Sequence, residues 1–152
     1  MGDERIPEER ICILREKMKK NVGWKDDELD SLNSQHWSFI NRMHKFRNYR
    51  MIAEVVQIND HCELLPKIGD KYVFYGACML NVEESTFPGV CLWALAGITP
   101  MSYMVMDRII SDLDPNDMWR NQACCLDNSV RNGGLGNVVF QVYCEKIQKG
   151  QK

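Results

Sequence analysis

The sequence predicts an α+β fold, with an N-terminal helical hairpin over residues 1–50 and a small, mainly antiparallel sheet packed on one or two short helices over residues 51–152. Three observations carry this expectation. Apolar residues recur at helical spacing before residue 50. After it they alternate or run β-branched. The charge balance changes at the same place, since residues 1–50 hold 11 Lys+Arg and 9 Asp+Glu and the remainder 8 and 12. At 152 residues, 45% hydrophobic and 26% charged, the chain is long enough to bury a core without disulfides or a structural metal.

In the first helix Ile11, Leu14 and Met18 stand at i, i+3 and i+7. Pro7 suits a first helical position and Gly23 a stop. A second helix is expected from an Asp26 cap to about Arg47, with Leu29, Leu32, His36, Phe39, Ile40, Met43 and Phe46 as its stripe. Neither helix buries its stripe alone. The hairpin must therefore pack on the rest of the chain or on another subunit, which points to a homo-oligomer or a partner protein bound through these helices.

Residues 51–58 (MIAEVVQI) read as a strand ended by the Asn59-Asp60 turn signal. Lys67-Ile68-Gly69-Asp70 is a second turn, leading into an extended segment over 71–77 (KYVFYGA). Two short helices follow, one near 90–96 and one starting at Pro100 with Thr99 as cap and Met101, Met104, Val105 and Ile109 on its buried face. Asp114-Pro115 stops the second. The last part reads as a hairpin, with strands near 121–126 and 138–147 joined through Gly133-Gly134-Leu135-Gly136. In its second strand Val138, Phe140, Val142 and Cys144 alternate with Val139, Gln141, Tyr143 and Glu145, so one face is buried and one partly wet.

Composition excludes some functions. A net charge of -2 gives no general attraction to nucleic acid or to anionic lipid, and the basic run Arg42, His44, Lys45, Arg47 and Arg50 reads as a solvated helix end. Residues 85–106 carry no charge over a length that could span a bilayer, yet Pro88, Gly89, Gly97 and Pro100 interrupt them, so a buried segment is expected and no membrane span. The segment MGDERIPEER has no apolar signal core, and seven is an odd number of cysteines. A reducing, cytoplasmic setting with free thiols is the expectation.

The thiols at 12, 62, 78, 91, 124, 125 and 144 include no Cys-x2-Cys pair, and consecutive Cys124 and Cys125 point to opposite faces of a strand, so no metal site is expected and Cys12 and Cys144 read as core. The glycines at 133, 134 and 136 lead into a strand rather than a helix, which removes a dinucleotide cradle; no cofactor is expected. General acid–base work needs a thiol or carboxylate in a sheltered loop, and Asp60, Asp70, Asp127, Cys62 and Cys125 all fall at strand ends.

Those loops give the chain its one family likeness. Cys62 to Asp70 reads Cys-x4-Lys-x-Gly-Asp, Cys91 is followed by Pro100, and Cys125-Leu126-Asp127 precedes the last strand. Over residues 51–147 this order resembles a family of short, uncharacterised bacterial and archaeal proteins, whose pattern has Gly-His where Leu65-Pro66 stand here and Cys-Pro-Asp where Leu126 replaces the proline. The resemblance implies a fold more than an activity. It also singles out Cys62, Cys91 and Cys125 among the thiols.

Two functional expectations result. One is a non-catalytic small subunit or interaction module, suited by the unpartnered hairpin and nine methionines. The other is a small enzyme acting on a small organic molecule, with Cys62 or Cys125 as nucleophile or acid–base group and Asp70 or Asp127 orienting it.

Overall fold

A computed structural model describes residues 6–147. The chain is α+β and divides into two compact units, Met1–His44 and Lys45–Lys152.

The first unit contains α1 (Glu8–Val22), α2 (Asp26–Asp30) and α3 (Ser34–Arg42). Helix α1 starts one residue after Pro7 and stops at Gly23, whose φ of 82° and N–H bonds to Lys19 O and Met18 O form the expected left-handed cap. Leu14, Leu29, Trp37 and Ile40 are its buried core, with Ile11, Met18, Trp24 and Leu32 packed around them. Arg15 reaches Asp30 at 2.7 Å and Lys19 reaches Asp26 at 2.6 Å, tying α1 to α2.

The expected single second helix is broken at 31–33. Ser31 Oγ donates to Glu28 O, and Asn33 Oδ1 accepts the N–H of His36 while its own N–H donates to His36 Nδ1. These local bonds compete with helix continuation and start α3 afresh. Lys25, not Asp26, is the N-cap of α2. His36 is consequently an exposed capping residue rather than a stripe member, and Trp37 takes the buried place. Met18, Val22, Trp24, Leu32, Phe39 and Met43 leave an apolar hollow of about 570 Å³ on this unit.

The second unit is a five-stranded, wholly antiparallel sheet in the order β3-β2-β1-β5-β4, formed by β1 (Tyr49–Asp60), β2 (Lys71–Tyr75), β3 (Met79–Asn81), β4 (Gln122–Cys124) and β5 (Gly136–Lys146). The long strands sit in the centre and both edge strands are three residues, which limits edge pairing with other chains. Strand β3, absent from the sequence reading, arises because Gly76 and Ala77 both take positive φ (57° and 66°) and fold the chain back on β2. In β5, Val138, Phe140, Val142 and Cys144 are buried and the alternate residues half-buried, as the alternation predicts.

One helix, α4 (Leu92–Ile110), covers the sheet. The two short helices expected on either side of Thr99 are thus a single helix of 19 residues that runs through Pro100. Its cause is the stripe Ala94, Ile98, Met101, Val105 and Ile109, which buries against Met51, Ala53, Val55 and Phe140 only if the helix is continuous. That burial outweighs the roughly 3 kcal/mol that an interior proline costs. Thr99 Oγ1 donates to Leu95 O at 2.8 Å and caps nothing. Gly97 lets the helix approach β4, since a Cβ there would stand 1.9 Å from Cys124 O.

Beneath α4, Tyr72 stacks on Phe87 at 4.6 Å, and Phe87 meets Phe140 at 5.6 Å. On the opposite face, Arg50 lies between Glu145 (2.6 Å) and Glu84 (2.9 Å); just past the end of α4, Lys45 meets Asp112 at 2.6 Å. The basic run is therefore largely neutralised at these two positions. Among the described residues no helix is long and apolar enough to cross a membrane.

Candidate functional site

Antiparallel connectivity gathers the candidate loops at one end of the sheet. Strand β1 ends there at Asp60, β2 begins at Lys71, β4 ends at Cys124, β5 begins at Gly136, and α4 begins at Leu92. A β-bulge at Val56, where the register shifts between Val55 and Gln57, precedes the turn of the chain. Gly136 is buried so tightly under this turn that a Cβ would meet the His61 carbonyl oxygen.

Cys62 and Cys91 flank the Tyr72 phenol. Cys91, half-buried at the N-cap of α4, donates its N–H to Tyr72 Oη at 3.1 Å, and that hydroxyl donates onward to Gly89 O at 2.9 Å. Burial pushes the Tyr72 phenol up to about 12; the Cys91 N–H works the other way, and the thiols of Cys91 and Cys62 add smaller upward contributions. Tyr72 is 1% exposed. Both of its hydrogen-bonding roles are filled by the segment just ahead of α4, so it ties β2 to that segment.

Cys125 and Asp127 lie on the other side of the α4 start. The Cys125 sulfur accepts the N–H of Val138 at 3.2 Å and the Asn137 side-chain amide at 3.7 Å. Asp127 Oδ1 accepts the N–H groups of Ser129 and Leu135, both at 3.0 Å, which shapes the loop from β4 to β5. Asp70 Oδ2 accepts the Lys67 N–H at 2.7 Å and closes its own turn, away from the other candidates. The five sequence candidates thus form two pairs, Cys62 with Cys91 and Cys125 with Asp127, plus Asp70 alone. Among the described residues, no group of three or more His, Cys, Asp or Glu side chains is placed to hold a metal ion.

Cys125 and Asp127 border a cleft of about 1210 Å³ whose floor is Ala96, Gly97, Pro100, Met101 and Met104 of α4. Its walls bring in residues the sequence reading missed, above all Trp119, Arg120 and Arg131. Trp119 is 92% exposed. A tryptophan next to an arginine in a segment without hydrophobic period was the available signal, and it lay outside every motif considered.

The fold and this cleft define the class: an α+β protein with a five-stranded antiparallel sheet, one covering helix, and an open cleft at the sheet end where the loops meet. Compared with models of protein families, with curated proteins and with solved structures, the chain matches none.

Proposed function

We propose that the chain is a non-catalytic subunit that docks on a second copy of itself through the loop end of its sheet. The observation that supports this is a strip of large apolar side chains left in water: Leu65 at 68% exposure, Leu92 at 76%, Trp93 at 58% and Leu126 at 59%. The segments that carry it are linked. Leu64 lies against Gly89, Val90 to Trp93 follow along the chain, and Trp93 O accepts the Leu126 N–H at 3.2 Å. Monomers rarely leave such a surface uncovered. Residues 85–106 carry no charge, so this stretch of the strip meets its copy without like-charge repulsion, and one patch facing itself closes a two-fold dimer.

Light scattering coupled to size exclusion tests this on the full chain. The wild type should be dimeric at micromolar concentration and Leu92→Glu monomeric, with an unchanged circular dichroism spectrum and a midpoint lowered only by the lost association. Phe39→Glu, in the hollow of the N-terminal unit, should leave the dimer intact. A monomeric wild type, or a dimer lost in Phe39→Glu and kept in Leu92→Glu, overturns the reading; the latter would place assembly on the N-terminal helices.

One observation favours a second reading, a small enzyme: the Cys125 thiol borders an open cleft. Against it, both carboxylates accept backbone N–H groups of their own loops and are not turned to the thiol. A charged alkylating reagent that modified Cys125 many times faster than exposed Cys78 would favour the enzyme.

A further inference from the structure

We propose that the cleft at the sheet end binds a small organic anion carrying a flat ring. The recognition groups are Trp119, Arg120 and Arg131, and they reach the cleft from different segments, Trp119 and Arg120 ahead of β4 and Arg131 from the β4–β5 loop.

The charge argument starts from what is and is not paired. Arg50 and Arg108 of this unit hold carboxylates, at 2.6 Å to Glu145 and 3.2 Å to Asp117. Arg120 and Arg131 have no ion pair or hydrogen bond among the described residues. The two acids in the lining form no ion pair with either arginine: Asp127 is turned onto the N–H groups of Ser129 and Leu135, and Asp60 Oδ2 accepts the Val130 N–H at 3.2 Å. Two free guanidinium groups at one cleft offer planar, bidentate donors to a carboxylate or phosphate.

The ring argument is independent of charge. Trp119 presents nearly its whole indole to solvent at the rim, while Pro100, Met101 and Met104 line the floor. An indole in water gains by stacking on a flat ligand, and the half-buried Met104 thioether adapts to apolar ligand surface. At about 1210 Å³ the space exceeds that of an inorganic ion and suits a ligand of nucleotide or aryl-acid size.

Calorimetry on the full chain at low salt, with two matched series, tests this. The probes are indole-3-acetate, tryptamine and acetate, and adenosine 5′-monophosphate, adenosine and phosphate. One or both ring-bearing anions should bind; indole-3-acetate alone marks a carboxylate site and the nucleotide alone a phosphate site. Tryptamine, adenosine, acetate and phosphate should each bind at least about tenfold more weakly. Arg120→Gln and Arg131→Gln should each weaken the anion about tenfold or more, and Trp119→Ala should do so while Trp119→Phe retains most of the affinity. Leu126 borders both the docking strip and the cleft whereas Leu92 borders only the strip, so Leu92→Glu should bind at least as tightly as the wild type, and failure of the dimer and failure of this site are read separately. Tryptamine or adenosine binding as tightly as its anionic partner, anion affinity unchanged in both arginine variants, or no anion binding up to about 10 mM overturns the proposal.

Discussion

Tyr143 Oη donates to Glu54 Oε2 at 2.8 Å across the β1–β5 pair, from a position diagonal in register, on the sheet face that α4 does not cover. The bond keeps a half-buried carboxylate satisfied beside Ile52, which is 2% exposed. Burial first, and then the Glu54 hydrogen bond, push the Tyr143 phenol up to about 12. Burial likewise pushes Tyr72 up to about 12 and the Cys144 thiol from 9.0 to about 12.

All three groups are held neutral by the fold, so their contribution is present in full below their unfolded values and is lost as pH rises through the folded ones. Stability should be flat with respect to these groups below pH 9, fall first as unfolded Cys144 ionises, and fall more steeply from pH 10 to about 12 as the tyrosines join. Tyr143→Phe should cost about 0.5–1.5 kcal/mol at neutral pH and flatten part of the decline above pH 10. Urea midpoints measured across this range check both. A decline unchanged in Tyr143→Phe would remove the phenol from the explanation.

The thiols should differ in reactivity according to their places in the fold. Cys12, Cys78 and Cys124 are exposed, Cys62, Cys91 and Cys125 half-buried, and Cys144 buried. Cys12 thus corrects the expectation of a core residue: it faces away from the Leu14 side of α1. Alkylation of the native chain followed by mass spectrometry should modify the exposed three first and Cys144 last, at a rate set by unfolding. Cys144 reacting as fast as Cys12 would contradict its placement.

Pro100 sits in the ninth position of α4 and is itself exposed. Alanine there would restore an amide donor toward the Ala96 carbonyl and remove the ring clash without opening a core cavity. Part of that gain is offset because proline also restricts the unfolded chain. Pro100→Ala should raise stability by about 1–2 kcal/mol net, read as a higher thermal midpoint by circular dichroism. A lower midpoint would mean that the helix is bent at Pro100 for packing.

These cases show which features a sequence of this kind discloses. Strand β5 was legible because alternation from Val138 to Glu145 is a purely local signal. Helix α4 was misread because Gly97, Thr99 and Pro100 are local stop signals that tertiary burial of Ile98 and Met101 overrides. His36 misled in the opposite direction: its spacing fits the stripe, yet its ring serves a cap that depends on Asn33. The loops carrying Cys62, Cys125 and Asp127 could be named in advance as strand-end loops, whereas Cys91 fell within an expected helix and was singled out only by the family likeness. Their sorting into separate pairs, and the presence of Trp119 and Arg131 at one cleft, depend on the strand order, which no local pattern encodes.

Asp127 anchors the β4–β5 loop rather than standing free. Asp127→Ala leaves the Ser129 and Leu135 N–H groups to water and should cost about 0.5–1.5 kcal/mol. Amide hydrogen exchange should report the loss as faster exchange at those two positions. Unchanged protection of both would show that the carboxylate does not hold the loop.

Gly97→Ala sets two effects of opposite sign against each other. Alanine favours an interior helix position over glycine by about 1 kcal/mol, which would stabilise α4 in isolation. In the folded chain the added Cβ would lie 1.9 Å from Cys124 O and 2.9 Å from its carbonyl carbon. Both are backbone atoms of β4, paired with β5 and unable to swing aside as a side chain can. The helix must lift from the strand, separating Ala94 and Ile98 from the core, and such overpacking costs about 1–3 kcal/mol or more. The steric term should win, lowering the urea midpoint, and because Gly97 also forms the cleft floor, the change should alter ligand affinity there as well. A variant as stable as the wild type would mean that α4 and β4 are not in the close contact on which the cleft depends.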